Sequence, residues 1–172
     1  VAQAVDAAVH TGAWMINVHA SGGTSMMEAA AQAGREAAQR LRRPPPLLIA
    51  VTVLTSMDEA GMRDTGIQRS LLDHVVALAH MAQIAGLDGV VASPQETASI
   101  RKACGDRFII VTPGIRGASA GNERNDQRRT MGPAEAIQAG ASYVVVGRPI
   151  IGAPDPRAAA VTIADELGRD RL

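Results

Sequence analysis

Two arginines stand at the ends of the last two apolar runs. Arg116 closes VTPGIR (111–116), and Arg148 falls in VVVGRP (144–149). Arginine suits a phosphate, because its planar fork donates paired hydrogen bonds and keeps its charge. Gly147, beside Arg148, lets backbone N–H groups approach an anion closely. Either arginine alone reads equally well as a surface residue in an ion pair. Their shared placement favours a joint grip on one phosphate. Gln127, in DQRR (126–129), can donate its amide to the same anion if the polar segment 117–129 closes over it. That segment reads as a lid or as a solvent loop, and its position after Arg116 favours the lid.

Other side chains carry weaker signals. Thr55 ends VTVLTSM; its hydroxyl can meet a ligand heteroatom or cap the next turn. His19, in NVHASGG, can act as a base, but histidines that bond the backbone are commoner. Asp58 and Glu59 read as a helix start. Cys104, the single cysteine, lies in a helical stretch and reads as a packing residue. The spacing of His, Cys and carboxylates gives no zinc motif. Lys102 is the only lysine, on a helix face directed outward. No complete set of nucleophile, acid and base can be assembled from these residues.

Elements that could position this chemistry alternate along the chain. Apolar, β-branched runs occupy 14–20, 46–54, 86–93, 107–113 and 142–149. Each is nearly continuous, as expected of a strand buried on both faces. Helical patterns cover 1–10, 25–41, 70–85, 94–103, 132–139 and 155–167. Gly12, Gly86 and Gly140 sit where helix C-caps belong. Strict alternation implies α/β architecture with a parallel sheet. The G-x-G-x-x-G fingerprint of a dinucleotide fold is absent. Polar residues instead gather after every strand-like run, at His19, Thr55, Ser93, Arg116 and Arg148. That is the arrangement of a (β/α)₈ TIM barrel, with chemistry at the C-terminal strand ends.

Composition narrows the function. Basic and acidic residues balance at 17 each, which removes the electrostatic case for nucleic acid or an acidic membrane surface. One Trp, one Tyr and one Phe make base-stacking platforms improbable. No apolar run reaches membrane-spanning length, and a lone cysteine fits a reducing cytoplasm. Five strand-like and six helical runs fall short of eight of each. The helical pattern also starts at Val1 without a cap. We therefore expect an incomplete barrel, strands four to eight and helices three to eight. Residues 1–172 would be the C-terminal two-thirds to three-quarters of one domain.

The runs NVHASGG (17–23), LLIAVTVLTSM (47–57), GLDGVVAS (86–93), VTPGIR, DQRR and VVVGRP occur in order over essentially the whole chain. Together they resemble the orotidine 5′-phosphate decarboxylases of the bacterial type. The resemblance implies a carboxy-lyase that converts orotidine 5′-phosphate to UMP and CO₂, without metal or organic cofactor, as a cytoplasmic homodimer. It implies that Thr55 contacts the pyrimidine edge. Arg116, Gln127, Gly147 and Arg148 would hold the phosphate, with Gln127 on the closing loop. The family's Asp-x-Lys-x-x-x-Asp array would lie upstream of Val1, so no catalytic residue is assigned within the chain. Two alternatives stand beside this reading. One is an inactive fragment that at most binds phosphate esters. The other is a related sugar-phosphate barrel lyase, such as a hexulose phosphate synthase, against which TVLTSM and the Gln127 segment argue.

Overall fold

The structure, a computed structural model, describes residues 1–115 and 131–169. Arg116, Gln127 and the rest of the expected lid lie outside the described residues. Five strands form one sheet: β1 (Met15–His19), β2 (Leu47–Val51), β3 (Gly89–Val91), β4 (Ile109–Thr112) and β5 (Tyr143–Val144). All neighbours pair in parallel, in the order β1-β2-β3-β4-β5. This sequential order separates the two parallel architectures. A doubly wound sheet reverses its order at a switch point, whereas a barrel wall adds each strand beside the last.

Helices cover one face. These are α1 (Ala2–His10), α2 (Thr24–Leu41), α3 (Glu59–Asp64), α4 (Leu71–Ile84), α5 (Thr97–Cys104), α6 (Pro133–Gln138), α7 (Arg148–Ile151) and α8 (Pro156–Arg169). The register aligns Val18, Ala50, Val90 and Ile110 in one row. That row shares a core with Met27, Ala30 and Ala31 of α2, Val75, Leu78 and Ala79 of α4, and Ile100 of α5. Alternation of side chains then turns the next row, His19, Val51, Val91, Val111 and Tyr143, to the opposite, concave face. Small alanines let the helices lie close to the sheet. Phe108 is the single aromatic in the buried core.

Local signals set the element ends. The Ser70 hydroxyl accepts the Asp73 N–H at 3.2 Å and caps α4. Gly12, Gly86 and Gly140 have φ of 84°, 78° and 105°, the left-handed conformation that ends a helix. Gly89 has a different reason. A Cβ there would lie 2.1 Å from the Ile109 carbonyl oxygen, so β3 can approach β4 only without a side chain.

The structure corrects two expectations. The central strands are buried on both faces, but the edges are not. Asn17 and His19 are exposed on β1, as is Tyr143 on β5, because each edge strand has a sheet neighbour on one side only. The fifth apolar run is also not one strand. Pairing ends at Val144, and Arg148 opens the one-turn helix α7. The proline at its second position is pre-set for helical φ.

Candidate active site

The strands run in one direction, so their C-terminal ends form one rim. Thr55 sits there, four residues beyond β2 and half-buried. It lines a cleft of about 150 Å³ with Val51, Val53, Leu54, Ser56, Val91, Ala92 and Pro113. Small-molecule pockets usually measure about 300–1,000 Å³, so this cleft has room for one end of a ligand. Its walls are mostly apolar, which suits a flat ring with a polar edge. The alternative role for Thr55 falls away. The cap of α3 is Asp58, whose carboxylate accepts the Gly61 N–H at 3.0 Å.

Gly147 and Arg148 lie on the same rim, after β5. Both are exposed. Gly147 has φ of −108°, and a Cβ on it would meet no atom within 4 Å. Neither a left-handed φ nor a close neighbour therefore demands glycine. Bare backbone facing open space is what close approach of an anion uses. Thr55 and Arg148 follow strands separated by two others, about 14 Å along the wall at the usual strand spacing. The structure thus brings them to one rim but not into contact. Arg116 follows Ile115 in the sequence, the last described residue of that segment, which is buried three residues beyond β4.

Other candidates resolve differently. His19 is exposed at the end of β1, so the expected interior backbone bond is not its role. Cys104 is buried, and burial pushes its thiol pKa up against the opposing charge of Arg101. A protonated, covered thiol is a poor nucleophile, which fits packing. Lys102 is exposed near the C-terminal end of α5. That helix runs back from the rim, so Lys102 lies toward the other end of the wall, where the strands begin. Among the described residues no three His, Cys, Asp or Glu side chains gather as a metal site.

Sequence reading placed Ser93 at a strand end but passed over the polar groups buried with it behind the rim. Ser93, Thr97 and Thr112 are fully buried, and Glu96 is 3% exposed. Their signal was faint: a threonine ending an apolar run, and a Glu-Thr pair at the start of an alanine-rich helix.

A sequentially wound parallel wall with its polar side chains on the C-terminal rim defines a (β/α)-barrel protein of the enzyme type. Comparison with known proteins narrows the class. The chain belongs to the orotidine 5′-phosphate decarboxylase / HUMPS family, whose model matches residues 1–163. It is 56% identical over 168 residues to the orotidine 5′-phosphate decarboxylase of Moorella thermoacetica, covering 97% of this chain and 66% of that protein. The enzyme of Sodalis glossinidius is 52% identical over 167 residues, covering 97% and 64%. Among solved structures, the orotidine 5′-phosphate decarboxylase of Lactobacillus acidophilus superposes with a TM-score of 0.83 at 35% identity. That match covers 96% of this chain and 68% of the other. The chain thus spans about two thirds of the length of the relatives it matches.

Proposed function

We propose that the protein to which this chain belongs decarboxylates orotidine 5′-phosphate to UMP, and that these residues supply its substrate grip. The carrying observation is identity above half, over 97% of the chain, to proteins named for that activity. In this reading Thr55 meets the pyrimidine edge in the cleft after β2. Arg148 and the backbone of Gly147 hold the phosphate after β5, joined by Arg116 and Gln127. The wall between them spans the ribose. No nucleic acid or membrane takes part, and no helix among the described residues is long and apolar enough to cross a bilayer. The assembly is a cytoplasmic homodimer.

Loss of CO₂ leaves an electron pair on the ring carbon, which needs a nearby cation and then a proton. Preorganised charge is the strongest means of supplying the first. The sole lysine of this chain, Lys102, lies away from the rim. In this reading the cation is the lysine of the Asp-x-Lys-x-x-x-Asp array that the family resemblance implies, which is not among these 172 residues. The test is CO₂ release from orotidine 5′-phosphate, measured for the full-length protein and for the 172-residue chain alone. Turnover by the full-length protein only is the expected result. Turnover by the chain alone would overturn the assignment of its residues to binding without catalysis. Binding of a hexulose phosphate with no response to UMP would favour the sugar-phosphate lyase.

A further inference from the structure

Hydroxyl groups link the strand ends beneath the rim. The Thr97 hydroxyl donates to the Ser93 carbonyl at 3.3 Å and lies 3.5 Å from the Thr112 hydroxyl. Ser93 follows β3, Thr97 opens α5 and Thr112 ends β4. The Glu96 N–H reaches the same Ser93 carbonyl at 3.1 Å. The Thr112 carbonyl accepts the Val145 N–H at 2.9 Å, just ahead of Gly147 and Arg148. One strand earlier, the Thr52 hydroxyl and N–H both reach the Val91 carbonyl, at 2.9 and 3.1 Å. Three residues after Thr52 comes Thr55. Hydrogen bonds joined by short stretches of backbone therefore connect the Thr55 end of the rim to the Arg148 end.

Stability does not explain these links. Ser93, Thr97 and Thr112 are 0% exposed. Valine has nearly the shape of threonine and buries without losing hydration. A buried hydroxyl loses its water, and its hydrogen bond does little more than replace it. What a hydroxyl adds is direction. Satisfied buried polar networks fix one geometry where apolar packing tolerates several. Here the geometry fixed is the spacing of the ends of β3, β4 and β5.

We infer that the Thr97–Thr112 hydroxyl pair is a positioning device that sets the ligand-gripping rim without touching the ligand. This rests on the decarboxylase reading above. Thr112 holds the β4 end through its side chain and the β5 end through its carbonyl, and Thr97 anchors both to the β3 turn.

The test uses Thr97→Val, Thr112→Val and the double variant in the full-length protein, with KM and kcat for orotidine 5′-phosphate, UMP affinity and thermal unfolding as readouts. KM rises about fivefold in each single variant, the effect of one lost neutral hydrogen bond. The double variant is no worse than Thr97→Val alone, because that variant already removes the link that Thr112→Val breaks. Thr97→Ser, which keeps the hydroxyl, restores KM. Where a valine variant fails to fold, Thr97→Ala carries the same expectation without a misplaced methyl. Unchanged KM in every variant overturns the proposal while leaving the function intact. So does a fall in kcat alone that tracks the unfolded fraction, the mark of a merely structural role. If the unsubstituted protein neither turns over orotidine 5′-phosphate nor binds UMP, the functional reading fails and takes this proposal with it.

Discussion

Trp14 and Tyr143 meet edge to face, their ring centroids 5.5 Å apart and their planes at 61°. Trp14 precedes the first strand and Tyr143 opens the last. In a flat sheet, four strand spacings would hold them on the order of 19 Å apart. Their contact requires a wall curled into an arc that brings its two edges together. Sequential strand order is compatible with a barrel, and this contact shows the curvature.

Removing either ring should loosen the arc. Aromatic pairs contribute about 0.5–1.5 kcal/mol beyond burial. Trp14 is 62% and Tyr143 42% exposed, so a coupling near the lower end is expected. A double-mutant cycle with Trp14→Leu and Tyr143→Leu, read by urea unfolding, measures it. Trp14 is the only tryptophan, so its emission reports the same contact and should shift to the red in Tyr143→Leu. Zero coupling with unshifted emission would mean that the edges do not meet in solution.

The end of the sheet where the strands begin depends on Arg101. Its guanidinium donates to the carbonyls of Gly105, Asp106 and Phe108 at 2.8, 2.9 and 2.6 Å. It also reaches the Gly140 carbonyl at 2.7 Å and the Ser142 hydroxyl at 3.3 Å. One side chain thus ties the turn before β4 to the turn before β5. Arg101→Ala should cost about 2–4 kcal/mol, since hydrogen bonds from a charged donor are stronger than neutral ones but these carbonyls can regain water. Arg101→Lys should recover little, because a point charge cannot reach both turns as a planar fork does. The urea midpoint of both variants checks this, and a fully stable lysine variant would show that charge alone suffices.

Much of this architecture was legible in the sequence, because its signals are local. Five apolar runs gave five strands, and glycines marked helix ends through their positive φ. Thr55, Gly147 and Arg148 fell on the rim, because a parallel wall puts every strand end there. Arg101 was illegible. Its partners lie up to 41 residues away, and nothing in SIRKAC distinguishes it from Lys102. The buried Glu96, Thr97 and Thr112 were hidden for a similar reason, since burial of a polar side chain is decided by which strand packs over it.

Stability should fall on mild acidification through His74. Burial, and then the charge of Arg69, hold its pKa below the ordinary value of 6.5. The folded state therefore binds fewer protons at this site than the unfolded chain. The contribution is present above the unfolded value and is lost as pH falls toward the lowered one. His74→Gln cannot titrate and should flatten the dependence of the urea midpoint on pH between about 7.5 and about 5.5. An unaltered slope would assign the acid sensitivity to other groups.

The two ends of the rim should separate in binding. Arg148→Ala should weaken UMP by on the order of 2 kcal/mol, the low end for a charged contact broken on one side, because the side chain starts exposed. It should leave uridine, which has no phosphate, unaffected. Thr55→Ala should weaken UMP and uridine equally, by about 1 kcal/mol for one neutral hydrogen bond. Added salt should erode the Arg148 contribution and spare that of Thr55, since only the former is a charge–charge contact. Titration calorimetry of the full-length protein with both ligands, at low and high salt, checks all of these. Equal losses for UMP and uridine in Arg148→Ala would place that arginine away from the phosphate. The order of the ligand along the wall would then have to be reversed or abandoned.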